Sequence, residues 1–87
     1  MSVDFQLKKM SRNFVSNVNT IRKLNRLSYR GMGRETGLSD STIRRMEIAR
    51  KTRYGKGEQG YNPSLSTVLK VARAIDRDPS DILEFRL

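Results

Sequence analysis

Eighty-seven residues are enough for one domain with a single modest core and too few for a second, so neither a ligand-sensing module nor a separate catalytic unit is expected. Eighteen Lys and Arg stand against nine Asp and Glu, a net charge of +9, and the chain has neither Cys nor His. That excludes disulfides and thiolate metal sites, removes the parts of the common nucleophile–base pairs, and leaves a cation excess suited to a polyanionic partner.

Residues 1–13 read as an N-terminal arm. Val3, Phe5 and Leu7 alternate, which admits a short β-strand, and Lys8, Lys9 and Arg12 follow as a basic segment. Met1 to Met10 lack the apolar run of a signal peptide, and no segment approaches membrane-spanning length, so a cytoplasmic protein is expected. From Phe14 to Leu27 the residues Phe14, Val18, Ile21 and Leu24 recur at three and four, the spacing of an amphipathic helix. Ser28 suits the N-cap of a short second helix, Tyr29 to Thr36, and Gly37 suits its left-handed end. Ser39 suits the cap of a third helix, from about Asp40 to Arg50, with Ile43 and Met46 facing inward.

Residues 51–62 hold three glycines and no helical periodicity, and read as a long loop. After Pro63-Ser64, the residues Leu65, Val68, Leu69, Ala72 and Ile75 share one face of a fourth helix. Asp78-Pro79-Ser80-Asp81 supplies an N-cap, a proline at the first helical position and an acid in the first turn of a fifth helix, about Pro79 to Glu84. Residues 85–87 form a tail. Leu83, Phe85 and Leu87 alternate, so a second short strand is open to them, pairing with the first or across a dimer. The sum is an all-α, five-helix domain over residues 14–84, with short β-strands as an option at the two termini.

Charge is uneven along the chain. Residues 1–75 hold sixteen bases and five acids, whereas residues 76–87 hold two bases and four acids. Twelve of the eighteen bases are Arg, which favours phosphate and base-edge recognition over general solvation.

The segment Ser28 to Glu47 (SYRGMGRETGLSDSTIRRME) resembles the helix-turn-helix of the Cro/repressor, lambda-repressor-like family. The likeness rests on Gly33 at the small-residue position, Met32 and Ile43 as core contacts, Gly37 at the turn, and Leu38-Ser39 leading into the third helix. Pro63-Ser64-Leu65, Ala72-Arg73-Ala74-Ile75 and Ile82-Leu83 look like the family's fourth and fifth helices. Two departures are plain: the loop after the third helix is several residues longer, and Asp76-Arg77 replace a common Gly and an apolar residue.

The resemblance implies a transcriptional regulator of phage or prokaryotic type that binds a two-fold DNA operator as a homodimer. Asp40, Ser41 and Arg45 fall at the family's base-reading positions. Arg44 also points away from the Ile43–Met46 face and takes either a base or a phosphate. Ser28 and Tyr29 fall at the family's backbone clamp. Thr42, Arg50, Lys51, Arg53 and Lys56 are further phosphate candidates, the last four on or beside the long loop. Lys8, Lys9 and Arg12 are either an arm along the duplex or a solvated basic segment. Arg22 and Glu47 match a structural ion pair of related repressors. Ile82, Leu83, Phe85 and Leu87 are the expected dimer contact. No cofactor, small-molecule ligand, membrane or catalytic role is expected. An antitoxin gripping a toxin protein through one terminus, and a general nucleic-acid binder stacking bases on Tyr54 and Tyr61, remain the alternatives.

Overall fold

The computed structural model describes residues 3–52 and 61–87, with side chains described as far as Ala49 and again from Tyr61. The described residues form five α-helices and no strand: α1 Val3–Leu24, α2 Tyr29–Thr36, α3 Asp40–Thr52, α4 Leu65–Ala74 and α5 Pro79–Glu84. The chain is all-α. None of these helices is long and apolar enough to cross a membrane.

The start of α1 overturns the strand expected over Val3–Leu7, since residues 3–13 are its first three turns. Both patterns are present in the sequence. Val3, Phe5 and Leu7 alternate, but Val3, Leu7, Met10 and Phe14 also recur at four and three, continuing the stripe of Val18 and Ile21. Asp4 in the first turn and Arg22 and Lys23 in the last complement the helix dipole. The helix stops at Leu24, which is exposed rather than packed. Arg26 then adopts a left-handed φ of 54°, with Leu27 N–H bonded to the Arg22 carbonyl at 2.9 Å and Arg26 N–H to that of Lys23 at 3.1 Å. This is the closure that usually employs glycine. Asp76 repeats it after α4 with the same φ, 54°, and with Arg77 N–H on the Ala72 carbonyl at 2.9 Å.

The caps of α2, α4 and α5 are side chains that the sequence displays. The hydroxyls of Ser28 and Ser64 accept from Gly31 N–H at 2.9 Å and Thr67 N–H at 3.1 Å. Asp78 accepts from both the backbone N–H and the hydroxyl of Ser80. Those two bonds, the backbone one foremost, hold the Asp78 carboxyl below the usual carboxylate range.

The core gathers Phe14, Val15, Val18 and Ile21 from α1, Met32 from α2, and Ile43 and Met46 from α3, closed by Val68, Val71 and Ala72 of α4 and Ile82 of α5. Leu65 and Leu69, expected on the packed face of α4, are exposed instead. The inward face is Val68, Val71 and Ala72, with Thr67.

The C-terminal strand is also absent. Phe85 is extended, but the backbone around it bonds to α1 side chains rather than to a second strand. Asn17, fully buried, donates to the carbonyls of Ile82 at 2.9 Å and Phe85 at 2.7 Å, and its side-chain oxygen accepts Leu87 N–H at 2.8 Å. Asn13 donates to the Leu83 carbonyl at 2.9 Å and accepts from Arg86 Nε at 3.3 Å. Ile82, expected at a dimer surface, is fully buried in the chain's own core and has no area to offer a partner. Leu83 is half-buried against that core, whereas Phe85 and Leu87 are 61% and 47% exposed.

Candidate nucleic-acid interface

Residues 37–39 carry the chain from α2 into α3. Gly37 takes φ 79° and returns its N–H to the Gly33 carbonyl at 2.7 Å. The two segments then touch so closely that a Cβ on Gly33 would lie 2.5 Å from the Leu38 carbonyl oxygen, a contact no side chain can make without moving backbone. Buried Thr36 fastens the same corner, its hydroxyl donating to the Met32 carbonyl at 2.8 Å and accepting from Leu38 N–H at 3.3 Å. Ser39 precedes α3 as its cap, its hydroxyl accepting Thr42 N–H at 3.1 Å.

With α3 anchored through Ile43 and Met46, the opposite face must point outward. Asp40, Ser41, Arg44 and Arg45 are all exposed there, together with Ile48. Arg45 has no ion pair or hydrogen bond among the described residues, so its guanidinium is uncommitted. Ser41 lies 3.2 Å from the Ser39 hydroxyl and Thr42 lies 2.8 Å from it. Thr42 is half-buried, which makes it less open to a phosphate than its neighbours.

Tyr29 opens α2 and is half-buried against the core. Two guanidinium groups lie over its ring: that of Arg22, 4.6 Å from the ring centre, and that of Arg44, 5.3 Å from it. Arg22 also donates to the Leu27 carbonyl at 3.1 Å and pairs with Glu47 at 3.7 Å. Lys23 approaches the other Glu47 oxygen at 3.8 Å. The Arg22–Glu47 pair therefore exists and is well sheltered, with side-chain exposures of 15% and 5%. It ties the end of α1 to the C-terminal half of α3, and Tyr29 brings the start of α2 into the same junction.

Ser28 stands next to Tyr29 with its oxygen already engaged as the α2 cap. Arg50 and Lys51 fall in the last turn of α3, beyond the last side chain described, while Arg53 and Lys56 lie outside the described residues. Lys8, Lys9 and Arg12 are exposed on α1. The described residues contain no group of acids able to hold a metal ion.

Three features go beyond the expectations from sequence: Lys23 at the Glu47 site, the double stack on Tyr29, and the asparagines that hold the tail. For Lys23 a signal existed, since it adjoins Arg22 in the last turn of α1. The stack joins three separate helices and leaves no spacing to find. No family model matches the chain, and neither characterised proteins nor solved structures give a significant match.

Proposed function

We propose that this protein is a sequence-specific double-stranded DNA-binding regulator of the Cro/repressor type, using α2, the turn at 37–39 and α3 as a helix-turn-helix. The observation that carries this reading is the Gly33–Leu38 approach. It clamps α2 onto the start of α3 and leaves α3 with one face in the core and the other bare. A helix so presented suits the major groove, where residues near its N-terminal end meet base edges while the preceding helix crosses the backbone.

Asp40 and Ser41 then stand at the deep end of α3, and Arg45 follows one turn later with a planar fork unpaired among the described residues. Such a fork matches guanine O6 and N7, a contact worth roughly 1–3 kcal/mol of discrimination. The start of α2 lies beside the sugar-phosphate backbone, where Ser28 and the first amides of the helix make contacts that set position rather than sequence. One such helix spans few base pairs, so the protein acts as a homodimer on half-sites about 34 Å apart. Phe85 and Leu87 are the parts of the C-terminal end exposed for that contact.

Selection of binding sites from random duplexes at near-physiological salt tests the reading, with wild type and Arg45→Ala side by side. A palindromic consensus that relaxes at one base pair per half-site in the variant is the expected result. If no sequence is enriched and binding merely fades with added salt, the protein is a charge-driven binder and the reading fails.

A further inference from the structure

The two adjacent arginines on the outer face of α3 are not equivalent. Arg45 is unrestrained among the described residues, whereas the Arg44 guanidinium rests over the Tyr29 ring. Tyr29 is itself fixed: its ring packs on the core and a second guanidinium, that of Arg22, lies over it. Arg22 is in turn engaged by the Leu27 carbonyl at 3.1 Å and paired with Glu47 at 3.7 Å. A chain of contacts thus runs from the core to Arg44 and draws its side chain toward the first residue of α2, away from the middle of the exposed α3 face.

We infer that Arg44 is a phosphate-binding residue and that Tyr29 is its positioning residue, acting through the face of its ring rather than through its hydroxyl. The inference rests on the DNA-binding reading above and divides the labour within it. When α3 lies in the major groove and α2 crosses the backbone, a guanidinium held against α2 is over the strand and not over the base edges. A stacked arginine keeps its N–H fork free at the rim while its flat face is occupied, so the stack pre-orients the group without using up its donors. Arg45 is left as the arginine that reads sequence.

The test measures dissociation constants over a range of salt for wild type, Arg44→Ala, Tyr29→Phe and Tyr29→Leu, each on the selected duplex and on a scrambled one. Arg44→Ala is expected to weaken both duplexes by the same factor, roughly tenfold, and to lower the steepness of the log–log salt dependence by about one. Tyr29→Phe keeps the ring and is expected to match wild type. Tyr29→Leu loses the platform and moves toward Arg44→Ala. Loss confined to the selected duplex in Arg44→Ala would make Arg44 a base reader and overturn the assignment, as would an unchanged salt slope. A Tyr29→Phe defect equal to that of Tyr29→Leu would give the contact to the hydroxyl and equally overturn it. Should Tyr29→Leu fail to fold, Arg44→Ala and Tyr29→Phe still decide. The salt slope is read on any duplex, so the outcome for Arg44 is separate from whether wild type prefers a sequence at all.

Discussion

Leu87 donates its backbone N–H to the side-chain oxygen of Asn17 across 2.8 Å of space and seventy residues of sequence. The same asparagine donates to Ile82 and Phe85, so one buried amide stands in for the strand that the tail lacks. Asn17→Ala removes all three bonds and strands the Ile82 carbonyl in the interior. Urea unfolding is expected to show a loss of about 2–4 kcal/mol, the scale set by leaving buried polar groups unpaired. A loss below about 1 kcal/mol would show that water replaces the amide without cost. Deleting the tail is therefore expected to perturb folding, whatever it does to the proposed dimer. Phe85→Lys, which alters only an exposed side chain, is the cleaner probe of dimerisation by sedimentation.

Gly33→Ala gains about 1 kcal/mol of helix propensity but sets a methyl group 2.5 Å from the Leu38 carbonyl oxygen. The clash is with backbone and cannot be relieved by a rotamer change. A net destabilisation of about 2 kcal/mol or more is expected, together with loss of the proposed DNA binding as α3 is pushed from its seat. Gly31→Ala is the control, since its nearest neighbour is the Ser28 hydroxyl at 3.2 Å, and it should cost far less. Equal thermal midpoints for the two variants would refute the close-approach argument.

Breaking the sheltered pair at the α1–α3 junction should also be costly. Glu47→Ala leaves the Arg22 side chain, 15% exposed, without its carboxylate, and a loss of roughly 3 kcal/mol is expected. Arg22→Ala should behave similarly, and the double variant should lose clearly less than the two added together, because the partners share one interaction. Additive losses in denaturant titrations would mean that each residue acts separately.

Asp76 offers a gain instead. It holds a φ of 54° at the close of α4, a conformation in which Cβ meets the following carbonyl. Asp76→Gly is expected to stabilise the fold by about 0.5–1 kcal/mol, after the extra flexibility of glycine in the unfolded chain is discounted. Calorimetry would register this as a rise of a few degrees in Tm. A fall would mean that the Asp76 carboxylate contributes more than its backbone costs.

The legible parts of this fold are those whose signals are local. Ser28 and Gly37 bracket α2, and Asp78-Pro79 announces α5, because caps and left-handed stops act within a few residues of where they stand. Val3 to Leu7 misled because Val3, Phe5 and Leu7 satisfy period two while Val3 and Leu7 also satisfy the four-residue spacing of a helix, and only tertiary context chooses between them. Leu65 and Leu69 shared a face on paper, yet the packed stripe of α4 is rotated toward Val68 and Val71. Asn13 and Asn17 gave no warning, since polar residues on a helix read as solvent-facing and their partners lie about seventy residues away, most of them main-chain atoms. At the interface, the outward set on α3 followed from Ile43 and Met46 facing inward. The restraint on Arg44 did not, because it depends on how three helices meet.

Asn17 holds main-chain atoms alone, and that sets which substitutions the tail can tolerate. Phe85 and Leu87 are held by their backbones while their side chains stay exposed, so these positions are open to drift and to acquiring new specificities for a partner. Leu87→Pro is the exception, because proline has no N–H to give Asn17. A library randomised at these two sites and sorted for folded protein should accept most residues yet be depleted of proline at the last position. Positions 85 and 87 would then be fixed in place by their backbones yet open in their side chains.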